Sequence, residues 1–203
     1  TVGHGLGVAP KMIIVKKLST SGTGWYVYHK NIGASNVIYL NSTSSSAGAA
    51  AVWNSTDPST SFFSIGTNTG VNNNGDTHIA YCFADKIGFS KCGFYYGNGN
   101  ADGTFAYTGF KPTWIMGKKV DGATNNWYLF DSTRDTFNLT TKKLRPDTNA
   151  AENDNSSKAI DILSNGFKIK NTDAEFNNSG DKYIYLAFGQ SLVGSNNIPC
   201  TAR

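Results

Sequence analysis

The residues of this sequence best suited to contact a ligand are aromatic side chains in polar segments. Trp53, Tyr95 and Tyr96 adjoin stretches rich in Asn, Ser or Gly, and Asp102 lies within such a stretch at 97–103. A flat aromatic ring can pack against the C–H face of a sugar, while a few polar groups bind its hydroxyls and fix its orientation. We therefore predict ligand contacts at Trp53, Tyr95, Tyr96 and Asp102.

Two further tryptophans are assigned to packing. Trp25 and Trp127 occupy equivalent positions of an internal repeat, as expected of a structural anchor in each copy. Large aromatic side chains are mostly buried in folded domains. We expect both indole rings to lie in the core.

Signatures of catalysis are sparse. A retaining glycosidase needs two carboxyl groups about 5 to 5.5 Å apart, and the only glutamates, Glu152 and Glu175, lie in polar, loop-like segments. The histidines His4, His29 and His78 are dispersed, without the spacing of a metal site. We predict no catalytic residue and no enzymatic activity.

Calcium is the cofactor that the sequence leaves open. Asp76, Asp102, Asp173 and Asp181 lie among Asn and Gly, and such loops can supply the oxygen ligands that Ca²⁺ requires. Their spacing matches no calcium-loop template, and the same residues form ordinary turns. We predict no metal site and no resident cofactor, with Ca²⁺ as the alternative. The cysteines Cys82, Cys92 and Cys200 also lack metal-ligand spacing, and no disulfide framework is expected.

A long internal repeat organises the chain. Residues of the first half recur 102 positions later, as Gly7 does at Gly109, and the offset grows to 105 from Gly75 to Gly180. The matched pairs include Pro10 with Pro112, Lys16 with Lys118, Lys17 with Lys119, Trp25 with Trp127, Tyr26 with Tyr128, Phe63 with Phe167, Asp76 with Asp181, Ile79 with Ile184 and Phe83 with Phe188. Such repetition indicates duplication of one supersecondary unit whose copies pack on each other.

The local patterns are those of β-hairpins. Apolar segments 12–17 and 25–29 flank a Gly/Ser/Thr turn, and 113–120 with 127–131 repeat this hairpin. A sharper hairpin joins two alternating segments through an Asn-Gly turn within 160–170. Its first-half counterpart is predicted as strands at 51–53 and 62–65. A single turn of helix is allowed within 149–158.

These strands predict one all-β domain over 1–203, an antiparallel β-sandwich of jelly-roll or concanavalin-like type. It is built from two duplicated halves of about 3–100 and 105–193. Each half alone would be marginally stable, so we expect one shared core. The last strand of each half, at 78–84 and 182–188, is the most apolar.

Charge and hydropathy exclude two classes of partner. The net charge of +4 comes from scattered Lys and Arg, whereas nucleic-acid binders usually carry a concentrated basic patch. The doublets at 16–17 and 118–119 are predicted to be exposed lysines that keep strand edges soluble. No apolar run approaches the roughly twenty residues needed to span a bilayer. We expect neither nucleic-acid binding nor membrane insertion.

Several phrases resemble a domain family common in marine bacteriophage genomes, found at the C-terminal end of predicted tail-fibre or other virion proteins. They are VGHGLGVAPKMIIVK at 2–16, WYVYH at 25–29, AYCFA at 80–84, GNG at 97–99 and YTGFKP at 107–112. The closing PCTAR at 199–203 is similar to the natural terminus of such proteins. The resemblance implies a lectin-like sandwich at the distal end of a fibre, with this chain a C-terminal fragment. It transfers no site residue.

The function expected from this resemblance is adhesion. The domain would sit in the virion, on a tail fibre or another exposed protein, and would recognise a host surface polysaccharide or an outer-membrane component. Fibres are commonly homotrimers, in which three weak sites act together. A structural decoration or capsid-fibre module that packs against other virion proteins is the first alternative. A polysaccharide depolymerase is the second.

Overall fold

The computed structural model describes residues 1–122 and 124–189, and in them the chain is an all-β sandwich of antiparallel strands. Cys200 and the closing segment 199–203 lie outside the described residues. The strands are β1 Val2–Gly3, β2 Met12–Lys17, β3 Trp25–His29, β4 Asn36–Tyr39, β5 Ala47–Gly48, β6 Phe62–Phe63, β7 His78–Phe83, β8 Ser90–Tyr96, β9 Phe105–Tyr107, β10 Pro112–Lys119, β11 Tyr128–Asp131, β12 Lys142–Lys143, β13 Asn153–Asp154, β14 Ile160–Leu163, β15 Gly166–Ile169 and β16 Lys182–Gly189.

Two sheets carry most of these strands. The first half forms a five-stranded sheet in the order β5-β4-β3-β2-β7. The second half forms most of a four-stranded sheet in the order β11-β10-β16-β8, whose edge strand β8 comes from the end of the first half. A three-stranded sheet in the order β14-β15-β9 also belongs to the second half. Two small sheets, β1-β6 and β12-β13, complete the fold.

The two halves repeat one pairing pattern. The order β3-β2-β7 matches β11-β10-β16. Val15 lies opposite Tyr26 and Ala80, and its repeat equivalent Gly117 lies opposite Tyr128 and Tyr185. Equal order and equal register are what duplication of one unit predicts. Within the described residues the two sheets differ at one edge, because β8 pairs with β16 whereas no strand pairs with the outer edge of β7.

A central core joins the two halves. Along β2, β10 and β16, alternate side chains point to one face, as the pleat of a strand requires, and there they meet the other half. This central cluster consists of Met12, Ile14, Val27, Ile38, Cys92, Met116, Val120, Trp127, Ile184 and Leu186, with Trp25 and Trp114 among the half-buried residues packed against it. Trp127 is buried and Trp25 half-buried against the same cluster, so both indoles pack as predicted.

Each half also has a core on the other face of its sheet. In the first half, Ile13 and Val15 of β2 meet Trp53 and Phe63. In the second half, Tyr183 and Tyr185 of β16 meet Phe167 of the three-stranded sheet. Both main sheets are therefore covered on two faces, and this explains why β2, β10 and β16 read as nearly continuous apolar runs.

The lysine doublets are not at exposed edges, and that prediction was wrong. Strands β2 and β10 are interior strands of their sheets, and Lys118 is completely buried. Each ammonium group has a partner that offsets the cost of burial. The pairs are Lys16 Nζ with Thr23 O at 2.5 Å, Lys118 Nζ with Asn125 O at 2.5 Å, Lys17 Nζ with Asp76 Oδ2 at 2.7 Å and Lys119 Nζ with Asp181 Oδ2 at 2.5 Å. Equivalent lysines thus make equivalent contacts in the two halves.

The local predictions fail at one element. Residues 51–53, predicted as a strand, form part of the helix α1, Ala50–Trp53. The helix ends where Asn54 adopts a left-handed conformation, with φ of 52°. The turn of helix allowed within 149–158 is a 3₁₀ helix, Ser156–Lys158. No helix in the described part of the chain is long and apolar enough to cross a membrane.

Candidate functional site

Two of the four predicted contact residues are core residues. Trp53 is 2% exposed and packs in the first-half core, and Tyr95 is 4% exposed in the second-half core. Tyr95 stacks on Tyr183 with ring centroids 5.0 Å apart, and its hydroxyl donates to Phe176 O at 3.0 Å. Neither ring offers a face to a ligand. The predicted contacts at Trp53 and Tyr95 are therefore corrected to packing roles.

Tyr96 and Asp102 are exposed, but Tyr96 lies on β8 and Asp102 in the 97–103 loop. Tyr96 is 53% exposed and shares a face of β8 with Cys92, which belongs to the central cluster. Its ring meets that of Phe94 edge-on, at 5.7 Å between centroids. Asp102 instead pairs with Lys168, on the three-stranded sheet. The structure therefore does not bring these two side chains together.

The surroundings of Asp102 contain two exposed aromatic rings. The middle residue of β9, Ala106, is buried in the second-half core, so its neighbours Phe105 and Tyr107 point outward. Phe105 is 40% exposed and Tyr107 is 63% exposed. Exposed rings in register on one strand form a preorganised apolar surface, because the strand fixes their spacing.

Strand β15 supplies the charges beside these rings. Phe167 and Ile169 are buried, and alternation therefore turns Lys168 and Lys170 outward. Lys168 lies directly opposite Phe105, and Gly166 lies opposite Tyr107. A Cβ at Gly166 would clash with the backbone O of Ala106, so only glycine fits at this position beside β9.

These residues form one surface, called here the platform: Asp102, Phe105, Tyr107, Lys168 and Lys170. Lys168 Nζ lies 2.7 Å and Lys170 Nζ 3.0 Å from Asp102 Oδ1. Hydrogen bonds from Lys168, and then from Lys170, lower the pKa of the Asp102 carboxyl below its ordinary value. The platform thus presents a carboxylate and two ammonium groups beside two rings. It can bind a ligand by ring contact and by charge-assisted hydrogen bonds.

A buried asparagine holds the loop that carries Asp102. Asn177 is completely buried, and its amide nitrogen donates to Asn100 O at 2.7 Å. Its Oδ1 accepts from Asn98 N at 2.9 Å. Within the loop, Asn100 Oδ1 accepts from Asp102 N at 2.8 Å. The 97–103 segment is an exposed loop, as predicted, but it is fixed from beneath by buried hydrogen bonds.

The aspartates considered for calcium are engaged with lysines. Asp173 Oδ2 lies 3.1 Å from Lys158 Nζ, and Asp76, Asp102 and Asp181 have the lysine partners given above. No group of three or more His, Cys, Asp or Glu side chains that could hold a metal ion occurs within 1–122 and 124–189.

The glutamates have similar partners. Glu175 is buried and accepts from Lys143 at 2.7 Å, and Glu152 pairs with Arg134.

Comparisons with known proteins place the chain in a family. No curated protein and no solved structure was found to match it. One protein-family model matches residues 1–191, which is most of the chain. The chain therefore belongs to DUF7483, a family defined as a domain of unknown function.

Proposed function

We propose that this chain is a non-enzymatic adhesion domain that binds a cell-surface glycan at the platform. The observation that carries the proposal is the pair of exposed rings on β9, Phe105 and Tyr107. They lie beside the carboxylate of the 97–103 loop and the two ammonium groups of Lys168 and Lys170. Binding sites combine apolar contact area with a few placed polar groups in the same way.

The geometry suits a saccharide. A sugar ring has an apolar C–H face and a rim of hydroxyl groups. Tyr107 offers a large ring at low conformational cost, because its side chain has few rotatable bonds. Asp102 can accept from hydroxyl groups, and Lys168 and Lys170 can donate to them.

The virion setting is part of the proposal and is supported by the sequence resemblance. A shallow surface of two rings gives weak affinity by itself. In a homotrimeric fibre, three such surfaces would act together, and linkage of this kind raises avidity by roughly 10²- to 10⁴-fold. The proposed ligand is therefore a repeated glycan on a host surface.

Glycan binding is tested with the purified domain displayed in multivalent form on a glycan array and on intact candidate host cells. We expect Phe105→Ala and Tyr107→Ala each to reduce binding about tenfold, because the apolar area that a ring buries against a sugar is worth on the order of 1.4 kcal/mol. Phe137→Ala is the matched control, since Phe137 is an 82% exposed ring that is not part of the platform. Equal binding by all three variants and the wild type would contradict the proposal.

A structural module that packs against other virion proteins is the second candidate. It is favoured by the connection between β7 and β8, where Ile87 is fully exposed and Phe89 is about half exposed. Apolar side chains at such a tip mark a protein interface when they form part of a larger patch. Under this alternative, Ile87→Ser would reduce incorporation of the protein into particles, while Tyr107→Ala would not.

A further inference from the structure

A groove of about 280 Å³ opens along β7, on the first-half face of the fold and remote in sequence from the platform. Its apolar wall continues the first-half core, and its polar rim comes from the turn before β7. The lining residues are Val2, Val15, Phe63, Ile65, Val71, Asn72, Asn73, Asp76, His78, Ile79 and Ala80. Ala80 is exposed, so the groove is open to solvent at the edge of the sheet.

The repeat explains why this groove exists. His78 and Ala80 correspond, at the offset of 105, to Tyr183 and Tyr185. Both tyrosines are buried in the second-half core. The first half therefore has an imidazole and a methyl group where the second half has two phenol rings. Among the described residues no strand pairs with the outer edge of β7, whereas β8, whose Tyr95 stacks on Tyr183, pairs with β16.

His78, which lines the groove, has a buried polar atom without a partner. Nε2 of His78 is buried and makes no hydrogen bond among the described residues. At the matched position of the second half, the Tyr183 hydroxyl donates to Ala174 O at 2.8 Å and accepts from Asn178 N at 2.9 Å. A buried polar atom without a partner is costly, and a ligand hydroxyl would satisfy it.

The carboxylate that lines the groove already has hydrogen-bond partners. The carboxylate of Asp76 accepts from Lys17 at 2.7 Å, from Ser19 at 2.7 Å and from Asn73 at 2.6 Å. It is therefore not a free anchor for a cationic ligand. The groove therefore offers a ligand an apolar volume and the imidazole Nε2 of His78 as a hydrogen-bonding partner.

From these features we propose that the groove is a binding site for a phenol, a single aromatic ring that carries a hydroxyl group. The ring takes the space that tyrosine fills in the second half, against Val15 and Val71. The hydroxyl group hydrogen-bonds to Nε2 of His78. This site is separate from the platform. A failure to bind phenols in the groove would therefore leave the proposed glycan binding untouched.

The test is a titration of the purified protein with p-cresol, which has the ring and hydroxyl of a tyrosine side chain, followed by ¹H–¹⁵N NMR. We expect saturable shifts at the amides of Val15, Val71 and Ala80. Toluene, which lacks the hydroxyl, should bind about fivefold more weakly, the loss expected for one ordinary hydrogen bond. His78→Phe should remove this preference for p-cresol over toluene.

Variants that restore the second-half residues test the volume argument. Ala80→Tyr should fill the groove and weaken p-cresol binding about tenfold or more. If that variant does not fold, His78→Tyr serves the same purpose. Tyr81→Ala is the matched control, because Tyr81 lies on the opposite face of β7 and its loss should leave binding unchanged. Absence of saturable shifts, or equal p-cresol binding by the wild type and the filled variant, would overturn the proposal.

Discussion

Replacement of Trp127 by alanine should destabilise the fold far more than the same change at its repeat equivalent, Trp25. Trp127 is 1% exposed in the central cluster. Its Nε1 donates at 2.8 Å to O of Tyr39, a residue of the other half. Trp25 packs against the same cluster but is only half-buried.

The expected costs follow from these contacts. Replacing a buried tryptophan by alanine costs about 3–5 kcal/mol, and an unsatisfied buried carbonyl at Tyr39 adds about 1 kcal/mol. We expect Trp127→Ala to lower the free energy of unfolding by about 4–6 kcal/mol. Trp25→Ala, which removes less buried area, should lower it by about 1–3 kcal/mol.

Urea unfolding followed by far-ultraviolet circular dichroism measures both costs. The wild type should unfold in one cooperative transition, because the central cluster couples the halves. If Trp127→Ala leaves too little stability to measure, Trp127→Phe and Trp25→Phe give the same comparison at lower cost. Equal destabilisation by the two matched variants would refute the view that Trp127 joins the halves.

Three further outcomes are expected. Burial lowers the pKa of His29 to about 4 from its ordinary value of 6.5, so between these pH values the unfolded chain binds more protons. Stability should fall by about 3 kcal/mol as the pH is lowered through this window, and His29→Gln should flatten that part of the pH profile. Asn177→Ala should lower the free energy of unfolding by about 1–3 kcal/mol, because it leaves buried hydrogen-bonding groups unpaired. Hydrogen exchange should also become faster at the Asn98 amide. Glu175→Ala should lower the free energy of unfolding by about 3–5 kcal/mol, because it leaves the buried ammonium of Lys143 without its carboxylate. An unchanged urea midpoint for this variant would contradict that expectation. Glu175→Gln should cost less.

Much of the fold was predictable because its strands carry strong local patterns. The Asn-Gly hairpin has Leu163 opposite Gly166, as alternation and turn chemistry predict. The repeat also placed β2 and β10 in matched positions. Trp53 is predicted in a strand as the first-half counterpart of the Asn-Gly hairpin, but it lies in the helix α1. A four-residue helix is too short to show a helical period.

The candidate site was harder to predict, because exposure depends on which face of each strand is covered. Tyr95 lacks a repeat counterpart, and so it was predicted to contact a ligand. It is buried because β8 crosses over to pair with β16 of the second half, where Tyr95 stacks on Tyr183. Phe105 and Tyr107 are exposed because the small Ala106 points inward. The alternation of Phe167, Lys168 and Ile169 was the available signal for the outward lysines.

The most direct test of glycan binding at the platform is an NMR titration of the domain with a glycan that it retains on the array. The shifted amides should lie in β9, in β15 and in the loop that carries Asp102. Shifts confined to the connection around Ile87, or no saturable shift at any residue, would contradict a glycan site at the platform.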